Sequence, residues 1–525
     1  MKILGFQTGH DVAYSILENG IPLIHEELER FTRQKEPLGD GLKMAFDYSN
    51  FDLGEIKHFT LGNYGMYQEK GIKKWKSKGC YFPRYVRKMN RLLRKNNGQF
   101  FEFGHHKSHA ANAFFSSNFN EALILTMDGG GHEEDGSVSA FTVWCGKSNK
   151  IENIDTVPIS DFNLGDFWNS YTTKVFGLSG TGGSKGSQAG TVMGMSALGD
   201  YKKYINKLND IEFLKSEANV SEQNQFDIAA SIQNRTEELI KEKITYYLNK
   251  YPSKNLCLSG GVALNCVMVG KIRTWFPQLE NVFVDPIPYD GGLALGSSRY
   301  LWHQVLDNPR IRWEDNSSPY LGRKYSLKQV EKAIKKTKGI VSKSADIDSI
   351  VSLLDEQKII SVYSGGSESG RRALGNRSII ADPRSDKMKD LINEKVKHRQ
   401  WFRPFAPSIL KSEVGNWFET EVNSPYMSFA SKFKSDMKGK VPAVVHFDGT
   451  ARLQTVSQKD NKWYFKLLSE WNKFTNVPIL LNTSFNDREP IVETPENAIN
   501  CFLRTNIDYL YFANEKIIVE KKKRD

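Results

Sequence analysis

Short β-rich apolar runs that end in glycine and aspartate recur along this chain and set its organisation. KILGFQ, DVAYSIL and IPLIHEE read as three strands, separated by a turn at Thr8-Gly9-His10 and by Asn19-Gly20. Asn-Gly between apolar runs is a strong hairpin signal. EALILTMD repeats the logic: a strand enters a turn at Gly129-Gly130-Gly131, and SVSAFTVWCG returns from it. Two such hairpins in one domain predict a duplicated core. NLCLS runs into Gly260-Gly261 and then a helix, and NVFVDPIPY ends at Asp290-Gly291-Gly292. In doubly wound α/β sheets ligands sit beyond the carboxyl ends of strands, where all these Gly/Asp turns fall. Between Asn308 and Lys343 the pattern dissolves into polar, Pro-containing sequence, which predicts a domain boundary. Strands recur in KIISVYSGG, SIIADPRS, VPAVVHFDGTARLQTV and NVPILLNTSFN, with helices such as DKMKDLINEKVKHR between them. The expectation is α/β, in two domains.

Composition narrows the class. A chain of 525 residues exceeds what one core usually supports, and 39% apolar and 12% aromatic residues supply material for two. No apolar run reaches about eighteen residues and the N-terminus enters a strand directly, so neither a membrane span nor a signal peptide is expected, and a cytoplasmic location is. Five cysteines, Cys80, Cys145, Cys257, Cys266 and Cys501, are scattered without C-x-x-C pairs, as reduced structural thiols are.

Charge is unevenly placed. Lys and Arg number 72 against 61 Asp and Glu, a net +11. Between Lys70 and Lys95 lie Lys73, Lys74, Lys76, Lys78, Arg84, Arg87, Lys88, Arg91 and Arg94 with no acid among them, and Trp75, Tyr81, Phe82 and Tyr85 are interleaved. Such a mixture suits a phosphate backbone and exposed bases. Its alternative is a solvated helical excursion whose aromatics pack on their own domain. The terminal KKKRD reads as a solvated tail.

Two clusters carry candidate chemistry. His105 and His109 are spaced to share a helix face and hold one ion, and Asp128, at a strand end, is a natural further ligand. Main-chain N–H groups around Gly130 can approach a phosphate. The alternative is a pair of polar helix-surface histidines. In the second domain ESGRRALGNRS, EKVKHRQWFRPFAPS and HFDGTARLQT bring Arg372, Arg377, Lys397, Arg403 and Arg452 among core-forming residues. Unpaired buried guanidinium groups are costly, so the cluster calls for a multiply charged anion such as a triphosphate or an acyl phosphate. The alternative is internal pairing with Glu368, Asp382, Glu394 and Asp448. Asn482, Thr483, Ser484 and Asn486 add small hydrogen-bonding groups at a strand end.

GHDVAYSIL, ELERFTRQK, HHKSHAANAF, DGGG, VMGMSALGD, SGGVALN, RALGNRSIIADPR, RPFAPSIL, DGTARLQTV and LLNTSFN occur in one order along the chain. In this it resembles the O-carbamoyltransferases that decorate nodulation factors, cephamycins and aminoglycosides. The resemblance implies an actin-like (ASKHA) domain over residues 1–335, similar to the transferases that complete threonylcarbamoyladenosine on tRNA, and a YrdC-like domain over 345–525. The second would condense carbamoyl phosphate with ATP to carbamoyl-adenylate, releasing pyrophosphate, and the first would move the carbamoyl group to a hydroxyl. Carried over by motif, the metal ligands are His105, His109, Asp128 and Asp290, with Gly260, Gly261 and Asn265 near the nucleotide. Arg372, Arg377, Lys397, Arg403, Arg452, Asn482 and Ser484 would hold carbamoyl phosphate and ATP, with Arg372, Lys397 and Arg403 acting in the chemistry.

Mixed nitrogen and oxygen ligands leave iron(II), manganese, zinc and magnesium all open. His10, on the first Gly turn, is the candidate base for the acceptor hydroxyl, its alternative being a turn residue bonded to Asp11. The acceptor is either a small-molecule hydroxyl or a 5-hydroxymethyl base in DNA, gripped by the 70–95 segment with Trp75 or Tyr85 supporting the unstacked base. A tRNA threonylcarbamoyl-type modifier and a nucleic-acid-binding module on the same scaffold are the rival readings; a homo-oligomer is admitted. Two departures stand out. Gly366 and Arg371 replace the Arg and Pro that the family usually has around its Glu, and Thr191 replaces a Lys before VMG. Lys185 or Arg371 would have to supply the missing charge.

Overall fold

The computed structural model describes residues 1–179 and 188–522. The chain divides into two compact units, Met1–Asn265 with Ile272–Ser317, and Cys266–Lys271 with Ser318–Asp525. Residues 318–335, assigned above to the first domain, thus lie in the second unit, where Gly322 N donates to Ser367 O (2.9 Å) and Tyr320 Oη to Leu374 O (2.9 Å).

The first unit holds two five-stranded sheets. In one, β1 (Lys2–Gln7), β2 (Ala13–Glu18), β3 (Ile21–Glu27), β4 (Ile56–Leu61) and β5 (Phe100–Glu102) lie in the order β3-β2-β1-β4-β5. In the other, β6 (Glu121–His132), β7 (Val138–Lys147), β8 (Lys150–Pro158), β9 (Asn255–Ser259) and β10 (Asn281–Val284) lie in the order β10-β9-β6-β7-β8. Each sheet has an antiparallel meander on one side of its first strand and two parallel strands on the other. This repeat is the duplicated core expected from the two hairpins. Asn19 and Gly20 take φ of 50° and 83°, the left-handed pair that a tight hairpin needs. The helix His105–Ser116 lies on β6 and β9, the helix Leu293–Tyr300 on β1 and β2, and the two pack on each other.

Asp128-Gly129-Gly130-Gly131 is not the turn expected. β6 runs through it, with a register break between Met127 and Gly131, and the chain reverses only at Glu133–Ser137. The glycines serve the bulge instead. Gly130 has φ of 137°, and a Cβ on Gly131 would lie 2.1 Å from Cγ of His105.

The 70–95 segment forms the helices Glu69–Ser77 and Pro83–Lys95, and all its lysines and arginines are exposed. Its aromatics do not share that exposure. Tyr85 is 1% exposed within the core formed with Leu4, Phe6 and Met89, and donates to Asp47 Oδ1 at 2.6 Å, so it is not available to support a base. Among the described residues no helix is long and apolar enough to cross a membrane, and the five cysteines are free thiols.

The second unit is built on a mixed nine-stranded sheet. Its strands are β11 (Ile340–Ser344), β12 (Ile360–Tyr363), β13 (Arg377–Ala381), β14 (Ala406–Leu410), β15 (Phe429–Lys432), β16 (Thr450–Val456), β17 (Ile479–Ser484), β18 (Tyr509–Phe512) and β19 (Ile517–Lys521). The order is β11-β19-β18-β12-β13-β17-β14-β16-β15. Ile350, Leu354, Val362, Leu467, Trp471 and Leu480 share one core against a face of this sheet. VPAVVHFDGTARLQTV, expected as one strand, is a strand only from Thr450. Pro442 opens a short turn and the chain reverses between His446 and Thr450. Proline lacks the N–H that a central strand would use.

Candidate metal centre and anion site

The first unit's site begins with the helix His105–Ser116. Glu133 Oε1 accepts from His106 N (2.6 Å) at its start, and at its end Arg299 donates to Asn112 Oδ1 (2.6 Å) while Asn112 and Ser116 donate to Asp285 (3.0 and 2.6 Å). His106 is spent on structure, bonded to Thr126 and Ser139 (2.6 and 2.8 Å). His105 and His109, one turn apart, both reach the carboxylates. His109 Nε2 lies 3.4 Å from Asp128 Oδ2 and 3.5 Å from Asp290 Oδ1, and His105 Nε2 lies 3.6 Å from the same Asp290 oxygen. One donor atom from each of the four residues falls within 4.8 Å of the others.

Two observations test whether this set suits a cation. Nε2 of His105 and Nε2 of His109 are buried without a hydrogen-bond partner, a cost that a bound ion would remove. Ser259 Oγ, which donates to Pro288 O (3.3 Å), faces His109 Nδ1 at 3.4 Å and so accepts from it, turning the Nε2 lone pair toward the carboxylates. The electrostatics agree. Burial pushes His105 down, whereas for His109 the nearby carboxylates of Asp128 and Asp290 outweigh burial and lift it to about 9. Burial would raise Asp128, but the adjacent His109 and the charge of His105 hold it well below the carboxylate range. Two imidazoles and two carboxylates suit a divalent metal. Ser259 was not singled out from sequence, although a hydroxyl ending a strand just before Gly260 was the available signal.

His10 stands at the edge of the cluster, with Nδ1 3.0 Å from Asp11 Oδ2 and Nε2 3.6 Å from Asp290 Oδ2. Burial disfavours its charge, but the carboxylates of Asp290 and Asp11 win and raise it to about 10. The glycines have other duties than those expected. Gly261 N donates to Asp128 Oδ2 and Gly129 N to Asp128 Oδ1, both at 2.6 Å, while Gly130 is exposed. Asn265 exchanges hydrogen bonds with Gln233 (2.9 and 3.2 Å). Thr191 is buried, and Lys185 lies outside the described residues.

In the second unit the charge of Arg452 acts on Arg372 and Arg403, and also on Arg399, which the sequence reading passed over inside its own motif and which donates to Asn393 Oδ1 (2.8 Å) and Pro404 O (3.3 Å). Burial, then the charge of Arg452, lowers Arg372 to about 9 and Arg403 to about 10, and burial with Arg403 and Arg452 takes Arg399 well down. Like charges gathered and desolvated in this way call for a counter-anion. Lys397 lies on the β17 end, where its ammonium donates to Ser484 O, Asn486 O and Asn486 Oδ1 (2.9, 2.8 and 2.5 Å). Asn482 donates to Ala373 O, Ser408 Oγ and Gln454 Oε1 (3.1, 3.0 and 2.9 Å).

Arg377 departs from the expected role. Its guanidinium donates to Ser364 O, Asn376 O and Gly365 O (2.6, 3.0 and 3.2 Å) and stacks 3.6 Å from the Tyr363 ring centroid, so it binds main chain rather than an external anion. Of the acids weighed against the cluster, Asp382 pairs with Arg384 (2.8 Å) and Glu368 accepts from the amides of Leu374, Asn376 and Arg377 (2.7, 2.7 and 3.2 Å). Gly366 has a packing reason: a Cβ there would lie 2.5 Å from Gly322 O, which leaves no room for the arginine usual at that place.

Residues 70–298 match the family Carbamoyltransferase N-terminus and residues 351–521 match Carbamoyltransferase C-terminus. Nodulation protein NolO of Bradyrhizobium diazoefficiens is 33% identical over 432 residues, 77% of this chain and 77% of its own. The chain belongs to the carbamoyltransferase family. Nodulation protein NolNO of Sinorhizobium fredii is 34% identical to this carbamoyltransferase over 443 residues, which is 77% of the chain and 62% of that protein. Among solved structures, HypF of T. kodakarensis aligns with a TM-score of 0.38 at 13% identity, over 58% of the chain and 47% of its own, a likeness too low to carry any argument.

Proposed function

We propose that this carbamoyltransferase is an ATP-dependent O-carbamoyltransferase: the second unit, read as YrdC-like, makes carbamoyl-adenylate, and the first transfers its carbamoyl group to a hydroxyl. The observation that carries the reading is the arginine cluster in which burial and the charge of Arg452 depress Arg372 and Arg403, a strain that a bound anion would relieve. Carbamoyl phosphate and ATP both present phosphoryl oxygens that forked guanidinium groups bind and neutralise. Carbamoyl phosphate, ATP and one water balance as carbamoyl-adenylate, pyrophosphate and phosphate. In the transfer step the acceptor oxygen attacks the carbamoyl carbon, its proton passes to His10, and AMP leaves. His105, His109, Asp128 and Asp290 would hold a divalent cation, which supplies neutralisation of the leaving phosphate. His10 carries a proton while the carboxylates of Asp290 and Asp11 raise it; a cation held by Asp290 would bring it toward a working base.

The test supplies ATP, carbamoyl phosphate and, in turn, iron(II), manganese, zinc and magnesium, and follows pyrophosphate and AMP. Formation of both is expected, and their absence with every metal overturns the reading.

The acceptor is read first as a small-molecule hydroxyl. A 5-hydroxymethyl base in DNA is the second reading, supported by the exposure of every cation from Lys70 to Lys95 and by Trp75, whose ring would lie 3.0 Å from a Cβ on Gly9, beside His10. The deciding assay offers 5-hydroxymethyl DNA, its free nucleoside and unmodified DNA, and looks for a gain of about 43 Da on the flipped base. No gain on the DNA while adenylate forms removes the second reading.

A further inference from the structure

His446 belongs to none of the roles assigned above, yet it stands in the turn that leads into β16, two positions along the sequence from Asp448 and six from Arg452. Its main chain is locked: His446 N donates to Thr450 O at 2.8 Å and Gly449 N donates to His446 O at 2.9 Å. Its ring is oriented by a short relay. Thr450 Oγ lies 2.7 Å from Asp448 Oδ1 and 3.1 Å from His446 Nδ1. A carboxylate only accepts, so the threonine hydroxyl spends its one hydrogen on Asp448. It must then accept from His446, which places the ring hydrogen on Nδ1 and leaves Nε2 as a lone pair. That Nε2 is buried with no hydrogen-bond partner. Burial, and the positive charges of Arg452 and Lys389 against that of Asp448, keep the ring neutral with its pKa near 4, so the lone pair persists at physiological pH.

An acceptor of this kind answers a specific need of the substrate read above. Arginine forks offer donors alone, and they serve the phosphoryl oxygens. The carbamoyl group ends in an amino group, which is a donor and has no use for a guanidinium. Acetyl phosphate presents the same anhydride and the same charges, with a methyl in place of the amino group. A site made only of arginines would therefore tell the two apart poorly, whereas one acceptor aligned with the amino group separates them.

We propose that His446 Nε2 accepts a hydrogen bond from the amino group of carbamoyl phosphate and so makes the second unit select carbamoyl over acetyl phosphate. The inference rests on the carbamoyl-adenylate reading above and adds to it the residue that recognises the acyl group. Asp448 and Thr450 act through His446 as positioning residues, since they fix which ring nitrogen keeps the lone pair.

The experiment uses the full chain and measures pyrophosphate release from ATP with carbamoyl phosphate and with acetyl phosphate, the latter as a competitive inhibitor where it gives no product. Wild-type protein should prefer carbamoyl phosphate. His446→Ala should lower that preference about tenfold or more, because a donor is left facing no acceptor, while its use or binding of acetyl phosphate stays near the wild-type value. His446→Gln, whose Oε1 replaces the lone pair, should keep most of the preference. An unchanged ratio in His446→Ala, or an equal loss of both phosphates in His446→Ala and His446→Gln, overturns the inference alone. Wild-type protein that releases no pyrophosphate from carbamoyl phosphate overturns the adenylate reading, and this inference with it.

Discussion

The ring of His105 occupies the space that any side chain at Gly131 would need, a Cβ there coming within 2.1 Å of its Cγ. The third glycine of DGGG therefore seats a candidate metal ligand. Gly131→Ala should displace His105 and weaken divalent-metal binding roughly tenfold or more, the usual scale for disturbing a ligand's support. Metal titration of the purified variant checks this. Wild-type affinity in a protein whose helix content is intact would remove His105 from the ligand set.

Asp290 faces His105, His109 and His10 together, at 3.6, 3.5 and 3.6 Å. Asp290→Ala should cut carbamoyl transfer by at least about a hundredfold, as loss of one electrostatic stabiliser does, and leave pyrophosphate release largely intact. His105→Ala should behave in the same way. Parallel loss of both half-reactions in a folded variant would show that the two units do not divide the chemistry.

Burial and the charge of Arg452 depress Arg403, whereas Arg377 bonds three carbonyls. Arg403→Ala and Arg452→Ala should reduce pyrophosphate release by roughly a hundredfold with little change in melting temperature. Arg377→Ala should instead destabilise the second unit by about 3 kcal/mol, because the carbonyls it satisfies and the Tyr363 face are left bare. Thermal melts alongside turnover separate the two classes, and a melting point unchanged by Arg377→Ala would contradict its structural role.

Asp40 accepts from Leu42 N and Lys43 N (2.9 and 3.2 Å) at the start of the helix Gly41–Tyr48, next to the Gly9–Gly39 bridge that carries the His10 turn. Burial lifts its carboxyl to about 6 despite those bonds. The folded protein then keeps a proton that the unfolded chain releases near pH 4, so rising pH costs stability from about pH 4 to about pH 6, with no penalty below that window and the full penalty above it. Asp40→Asn retains an accepting oxygen and removes the titration. Its stability relative to wild type should rise by about 2 kcal/mol between pH 4 and pH 7 in urea unfolding. A difference that does not vary with pH would refute the assignment.

The sequence by itself determined most of the local elements and named the candidate chemistry-bearing groups. Apolar runs, Asn19-Gly20 and the 3.6-residue spacing of His105 and His109 act over a few residues, and local rules read them correctly. The doubled hairpin pattern predicted a duplicated core, and the ordered motifs were enough to name the family, whose resemblance implied the actin-like class. Only the tertiary structure decided which groups meet. Asp290 joins His105 from 185 positions away, and Ser259 reaches His109 across 150, because two separate sheets bring their strand ends together. Arg377 and Arg403 look alike as letters in cationic motifs, yet one is spent on carbonyls and the other is buried within reach of the Arg452 charge. Tyr85 looked like a stacking platform and is core, since burial is set by what packs against a side chain and not by its neighbours in sequence. The role of DGGG turned on the same point: local propensity favours a turn, but the pairing of β6 with β7 and the ring of His105 made it a bulge.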